Sequence, residues 1–429
     1  MLGWEYPPLV TGGLGPACRG ITRGLVQAGA EVLFVVPRAG GSRREGALEV
    51  RDLNERLRRA SGAPVHAGAA PSSPSPPSSQ GPAPQRRSRK LGVLGIDSPL
   101  RPYLRPAEYA PERTPTEEPG PGFRGGYGPD LFGEVERYAE VVAEDVRGEA
   151  FDIVHAHDWM TFPAAERIAA ERGCPLVCHV HASEFDRSAA GPDARIVAIE
   201  RSGLEAATRV VCVSRYLGER LVEHYDLEAG KLRVVHNAPA HEAPLSPKGA
   251  RRDGPPTVLF LGRITAQKGP RYFLDAARVV AASDPHVRFV MSGTGDLLPD
   301  MIEYAAALGL GQTVHFTGYL SDEEVEEVFA QADVFVLSSV SEPFGLTPLE
   351  ALARDVPVIV SRQSGVSEVL SSCPKYDHWD TADLADKMRT LLANPALRRQ
   401  LAKAGQLEVD AMHWDRRADE LLTVYGELS

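Results

Sequence analysis

The chain has 429 residues, 43% hydrophobic and 24% charged, with a formal net charge of −11. That length exceeds one ordinary core and predicts about two or three domains, and the acidic balance excludes nucleic acid or an anionic membrane as the main partner. No apolar run reaches bilayer length, the start MLGWEYPPLV carries Glu5 and lacks a signal-peptide pattern, and the five cysteines (Cys18, Cys174, Cys178, Cys212, Cys373) are scattered, as expected of reduced thiols in a cytoplasmic protein.

In chain order, Met1–Trp4 reads as the tail of a strand. A turn at Tyr6–Pro8, a Gly-rich loop at Thr11–Gly15, a helix over Pro16–Ala28 stopped by Gly29, and a buried strand at Glu31–Pro37 follow. This strand–loop–helix–strand opening predicts a doubly wound domain. Residues from about 41 to 125 break the pattern. Between 71 and 90, twelve of twenty residues are Pro or Ser, and the stretch ends in Arg86-Arg87-Ser88-Arg89-Lys90. Such a segment buries no core and is expected to be a disordered, solvated insertion rather than a nucleic-acid patch.

A helix is predicted over Pro129–Glu149, then strands at Phe151–Ala156, Leu176–Val180, Val210–Val213 and Leu232–Val235. Ala238–Pro256, rich in Pro, Gly and charge, reads as an interdomain linker. A second alternation has strands at Val258–Leu261, Val287–Met291, Val314–Phe316, Val334–Leu337 and Val358–Val360, and Met412–Ser429 reads as an amphipathic helix. The fold class is therefore α/β: two Rossmann-like domains, residues 1–240 and 250–411, facing a cleft, with a helix over 412–429.

The chemistry-bearing residues fall at predicted strand ends, where open α/β sheets bind ligands. Ser341–Glu350 (SEPFGLTPLE) places Glu342 and Glu350 with seven residues between them, after the strand ending at Leu337. Thr347-Pro348-Leu349-Glu350 also has capping-box spacing, with Thr347 at the N-cap, which gives Glu350 a structural alternative. Arg263 and Lys268 lie five residues apart on a strand-to-helix loop, suited to clamping two phosphates with a fork and a point charge. The loop TGGLG is not the dinucleotide fingerprint, and no acidic strand end follows it at the required distance, so an NAD-linked oxidoreductase fits poorly. His155-Ala156-His157-Asp158-Trp159 and His179-Val180-His181 each put two imidazoles on one strand face. With Cys174 and Cys178 nearby a zinc site is the rival, but those cysteines flank a strand without a second compact pair, so no metal is expected. Ser292-Gly293-Thr294-Gly295 and Phe316-Thr317-Gly318-Tyr319 read as tight turns closing strands.

These motifs resemble those of the retaining nucleotide-sugar glycosyltransferases of the GT-B fold, family 4 and the related glycogen and starch synthases. The segment from Glu342 to Glu350 is similar to their E-x7-E motif. Gly262-Arg263-Ile264 with Gln267-Lys268-Gly269 resembles their donor-diphosphate element. TGGLG resembles the K-T-G-G-L-G of glycogen synthases, with Val10 in place of lysine. HAHDW and VHASEFD resemble acceptor-side elements. The resemblance covers residues 1–38 and 126–429. It implies that the last helix crosses back to the first domain, and that transfer from UDP- or ADP-glucose to a carbohydrate or other hydroxyl acceptor proceeds without metal or resident cofactor. It gives catalytic roles to His181, Arg263, Lys268 and Glu342. Donor contacts fall to Gly12, Gly13, Gly293, Thr317, Gly318, Tyr319, Phe344, Gly345, Leu346 and Glu350. Asp158 lines the acceptor side, and His155, His157 and His179 pack behind. An α-1,4-glucan synthase and a catalytically inactive nucleotide-sugar-binding protein are the alternatives.

Overall fold

The computed structural model describes residues 1–9, 13–60, 130–188, 191–239 and 254–428. The first residues occupy the middle of the N-domain sheet. Leu2 bridges Val35 on one side and Ala156 on the other; its N–H donates to His155 O at 2.8 Å, while Gly3 N–H donates to Val35 O at 3.0 Å. Around this segment lie α1 (Leu14–Gln27), β1 (Val32–Val36), β2 (Arg43–Glu45), β3 (Leu48–Asp52) and α2 (Leu53–Ala60). Strand β3 runs parallel to β1, and β2 is an antiparallel edge.

The expected break near residue 41 is therefore set too early. Leu48 and Val50 enter the core on a strand of only five residues whose charged members disguise it. One of those members, Arg51, is buried and satisfied by Asp145 at 2.9 Å and by Glu49 and Glu149 at 2.7 Å each. The rest of the expected insertion, and Gly12 of the Gly-rich loop, lie outside the described residues.

The N-domain continues with α3 (Leu131–Asp145), β4 (Val154–His157), α4 (Phe162–Arg172), β5 (Leu176–Val180), α5 (Glu184–Arg187), α6 (Ala194–Ala206), β6 (Arg209–Cys212), α7 (Arg215–Tyr225) and β7 (Leu232–Val234). Strands β4 to β7 are parallel, and β4 and β5 are buried along their whole length, as strands covered by helices on both faces must be. The order β3, β1, N-terminal segment, β4, β5, β6 is the doubly wound one, and it reverses at the N-terminal segment.

The C-domain comprises β8 (Thr257–Leu261), α8 (Pro270–Ser283), β9 (Arg288–Ser292), α9 (Leu298–Ala307), β10 (Val314–Gly318), α10 (Asp322–Gln331), β11 (Val334–Leu337), α11 (Thr347–Ala353), β12 (Val358–Ser361), α12 (Val366–Val369), β13 (Lys375–Tyr376), α13 (Thr381–Ala393) and α14 (Pro395–Asp410). Its parallel sheet runs β10-β9-β8-β11-β12-β13, so the order reverses between β8 and β11. The two loops that the sequence singles out leave β8 and β11 at this switch point.

The last helix, α15 (Trp414–Gly426), returns to the N-domain and packs on α1, where an added Cβ on Gly20 would meet the Trp414 indole at 2.2 Å. A cavity of about 620 Å³ opens at the amino ends of the N-domain strands, against Met1, Leu33, Arg51, Ile153 and Tyr425, on the opposite edge from the cleft. Among the described residues no helix is long and apolar enough to cross a membrane.

Candidate active site

On the C-domain side, the loop after β8 turns through Gly262 and Arg263 into a short 3₁₀ turn at Ala266–Lys268, and the loop after β11 carries Ser338 to Leu346. The two are laced together. Val340 N–H donates to Gln267 O at 2.8 Å, Gln267 Nε2 to Ser341 O at 3.1 Å, and Ser338 Oγ to Lys268 O at 3.0 Å. This lacing brings Lys268 Nζ into an ion pair with Glu342 Oε2, which also accepts from Ser339 Oγ at 3.1 Å. Arg263 extends one guanidinium nitrogen to Gln267 Oε1 at 3.3 Å, beside the pair.

The backbone beneath is shaped by glycine. Gly293 closes β9 at φ 129, and a Cβ there would lie 1.9 Å from Gly262 O, so the turn after β9 is pressed against the Arg263 loop. Its N–H donates to Gly318 O at 2.9 Å, tying in the Thr317-Gly318-Tyr319 turn, whose Tyr319 is exposed. Gly345, at φ 101, turns the loop under Glu342, with its Cβ position 3.2 Å from Glu342 Cγ. Phe344 is buried, and its carbonyl accepts from Val366 N–H at 2.7 Å.

Glu350 lies in the first turn of α11, but the expected capping box is absent. The N-cap is Leu346, with no side-chain cap bond, and Thr347 is already helical. Glu350 N–H donates to Leu346 O at 3.1 Å, so the loop runs directly into the helix without a Thr347 cap.

On the N-domain side, Gly13 faces Leu346 across the cleft; a Cβ on it would sit 3.3 Å from Leu346 Cδ1. His181 is half-buried at the end of β5. Asp158, 5% exposed, holds a backbone conformation of φ 61, ψ 166 that L-residues adopt only at a cost of about 1–3 kcal/mol. Its carboxylate accepts from His181 N–H at 2.7 Å and lies 3.7 Å from Arg187. Asp158 thus holds the backbone of His181 rather than standing free in the cleft.

Behind it the imidazoles of His155, His157, His179 and His181 stack into a ladder, with ring centroids 4.4 Å apart for His179 and His181 and 4.6 Å for His155 and His157. Burial first, then neighbouring imidazoles, holds His155, His157 and His179 well below the usual histidine range. His181 is lowered by burial against the upward pull of Asp158. Two triplets, Cys18/His157/His181 and His155/His157/His179, place donor atoms within 4.8 Å of one another.

Sequence reasoning missed the contacts that join the two halves of the site. Ser341 Oγ donates to Asp186 Oδ1 at 2.6 Å, while Tyr216 OH bonds Ser341 Oγ at 3.1 Å. Ser214 Oγ donates to Pro343 O at 2.5 Å. Glu368 accepts from Arg215 N–H at 3.0 Å, Tyr216 N–H at 2.6 Å and His236 Nε2 at 3.1 Å; against the upward push of burial these bonds keep it below the usual carboxylate range. The segment preceding Glu342 is therefore gripped by the N-domain. The one sequence signal was Ser183-x-x-Asp186, a capping box formed in the structure and marking Asp186 as a helix-start carboxylate.

Two family profiles match this architecture half by half: Glycosyltransferase Family 4 over residues 104–239 and Glycosyl transferases group 1 over residues 243–408. A D-inositol 3-phosphate glycosyltransferase of Geodermatophilus obscurus is 30% identical over 321 residues, 67% of this chain and 69% of the relative. Among solved structures, sucrose-phosphate synthase from Thermosynechococcus elongatus superposes with a TM-score of 0.68 at 18% identity, covering 99% of this chain and 94% of the other. The Anabaena protein HepE in complex with UDP-glucose superposes with a TM-score of 0.57 at 17% identity, over 69% of this chain and 82% of the other.

Proposed function

This chain belongs to the family 4 glycosyltransferases of the GT-B fold and uses a nucleotide sugar, and we propose that it transfers glucose with retention from UDP- or ADP-glucose to an acceptor hydroxyl, without a metal ion. The observation that carries this reading is the juxtaposition of Lys268, Glu342 and Arg263 at the β8/β11 switch point, opposite Gly13. Arg263 and Lys268 are the cations that offset charge on the departing diphosphate, and the amides of Phe344, Gly345 and Leu346 at the start of α11 add positive potential. Glu342 faces the donor sugar and stabilises positive charge developing at the anomeric carbon. Glu350 binds the ribose hydroxyls, and the Thr317–Tyr319 turn with Gly293 lines the base end. Departure of the diphosphate and attack of the acceptor hydroxyl occur on one face of the sugar, the leaving phosphate oxygen taking the acceptor proton. The UDP-glucose bound by the fold relative HepE supports the donor choice. The free thiols fit a cytoplasmic enzyme.

The test is a thermal-shift screen of UDP- and ADP-sugars, followed by product analysis with a glycogen primer and small polyol acceptors. Glu342→Ala and Lys268→Ala are expected to abolish transfer while the far-UV spectrum and thermal transition remain those of a folded protein. Undiminished turnover by Lys268→Ala would remove the phosphate clamp from the mechanism. Polymer extension on the primer would make the enzyme an α-glucan synthase.

A further inference from the structure

The ladder of imidazoles contains a proton-placement problem with one economical answer. His157 is fully buried, and its Nδ1 lies 3.0 Å from Nε2 of His181. The other nitrogen of His157, Nε2, is buried without a hydrogen-bond partner. Burial favours the neutral form of both rings, helped at His157 by the neighbouring imidazoles and opposed at His181 by Asp158. A neutral pair has two arrangements. If His181 donates from Nε2, the proton of His157 sits on Nε2 and becomes a buried N–H with nothing to receive it. If His157 donates from Nδ1, only a bare lone pair is left at Nε2. Orphaned buried N–H groups are the rarer and costlier case, by about 1–3 kcal/mol. Cys18 lies within 4.8 Å of ring nitrogens of both histidines, and its buried, protonated thiol offers a weak donor rather than a strong acceptor.

We propose that His157 is a positioning residue that fixes the tautomer of His181, so that His181 presents Nδ1–H to the substrate as a hydrogen-bond donor. The inference rests on the reading of His181 as the substrate-facing residue of the N-domain. His181 Nδ1 makes no hydrogen bond to the described residues, and the ring is half-buried at the strand end beside the cleft. A donor locked in place there selects an oxygen that can accept, such as a sugar hydroxyl. It also removes His181 from the list of bases for the acceptor proton, since its one basic nitrogen is occupied by His157. The lower rungs follow the same logic. His179 Nε2 is also unpartnered and buried, so His179 donates from Nδ1 to His155 Nε2 at 3.2 Å, and His155 turns its Nδ1 proton to the Tyr425 hydroxyl on α15.

The experiment is a two-bond ¹H–¹⁵N correlation spectrum of the full chain labelled with ¹⁵N-histidine, without ligand, with His181 assigned from its loss in His181→Asn. His181 is expected to show a pyrrole-type Nδ1 and a pyridine-type Nε2. The opposite pattern in the unmodified protein overturns the proposal without any variant being needed. His157→Asn keeps an amide donor near the position of Nδ1–H and should preserve the pattern, whereas His157→Leu removes the donor and should move His181 toward the Nε2–H form favoured by imidazoles in water. An unchanged His181 spectrum in folded His157→Leu also overturns it. These spectra require no donor or acceptor, so they stand or fall separately from the transferase reading; an enzyme inactive with UDP- and ADP-glucose leaves the tautomer result intact.

Discussion

Replacing Glu342 by glutamine should tighten the binding of UDP even as it cripples transfer. Lys268 is engaged by Glu342, with side-chain exposures of 21% and 9%. A diphosphate that recruits Lys268 must therefore compete with an internal carboxylate and then sit beside it. Two unit charges about 4 Å apart at an effective dielectric of about 20 interact by about 4 kcal/mol. Solvent screening and the ordering of a long lysine chain reduce the usable part to about 1–2 kcal/mol. Glu342→Gln keeps the shape and a hydrogen bond from Ser339 but removes the charge, so UDP affinity should rise by about 5- to 30-fold. Titration calorimetry with UDP reads this directly, and Lys268→Ala, measured alongside, should bind UDP about tenfold or more weakly. Turnover of Glu342→Gln should fall by about two orders of magnitude or more, the scale for removing a group aimed at transition-state charge. Unchanged or weaker UDP binding by Glu342→Gln, together with normal binding by Lys268→Ala, would refute the idea that this pair is the phosphate clamp held closed by its own carboxylate.

The remaining expectations concern stability and closure. The four ladder histidines are held below their usual range by burial, so above about pH 6.5 they cost nothing, while below it the unfolded chain takes up protons that the folded one refuses. Stability should therefore fall on acidification from about pH 6.5, by up to roughly 1.4 kcal/mol per pH unit for each ring. Glu200, pushed up to about 7 by burial, acts oppositely over the same window and offsets about one of the four; thermal midpoints at about pH 7 and about pH 5.5 test the balance, and a flat profile would count against a neutral ladder. Gly24→Leu should destabilise by about 2–3 kcal/mol, because its Cβ would lie 2.8 Å from the Trp414 carbonyl and 2.9 Å from Ala418 Cβ, prising α15 off α1; an unchanged melting temperature would contradict that packing. Ser341→Ala removes the bonds to Asp186 and Tyr216 and should weaken donor binding about five- to tenfold with little change in melting temperature, whereas equal donor affinity would show that this contact plays no part in closure.

What the sequence made legible was local. Strands such as Val334–Leu337 and Leu176–Val180 were read to the residue, because short β-branched runs bounded by turn residues have few other uses. The loops after β8 and β11 stood out because their charged residues sit at strand ends. The misreadings share a different physics. The strand Leu48–Asp52 was hidden because Arg51, a residue whose charge argues for the surface, is buried by partners as far as 98 residues away. Thr347 satisfied a spacing rule for an N-cap, yet the tight turn at Gly345 carries the chain into the helix one residue sooner, so a backbone constraint overrode a side-chain preference. The contacts that give the cleft its shape left almost no trace. Ser341 and Asp186 are 155 residues apart, and Glu368 and Tyr216 are 152 apart, with no periodicity to link them. Each is an ordinary serine or carboxylate until the other domain arrives. Asp158 makes the same point within one domain. The resemblance set it on the acceptor side, and in the structure its strained backbone and its bond to the His181 amide engage the carboxylate with its own domain. Strain of that kind persists only where surrounding packing over-determines it, so Asp158→Gly, which relieves the φ while deleting the carboxylate, should lose the His181 geometry without the stability loss that a buried carboxylate's removal ordinarily brings. Asp158→Asn keeps the strain and one acceptor oxygen for the His181 amide. A melting temperature higher in the glycine variant than in the asparagine variant, with transfer lower, is the expected pattern; the reverse order would mean that the bond to His181, and not the backbone, dominates the energetics of this corner.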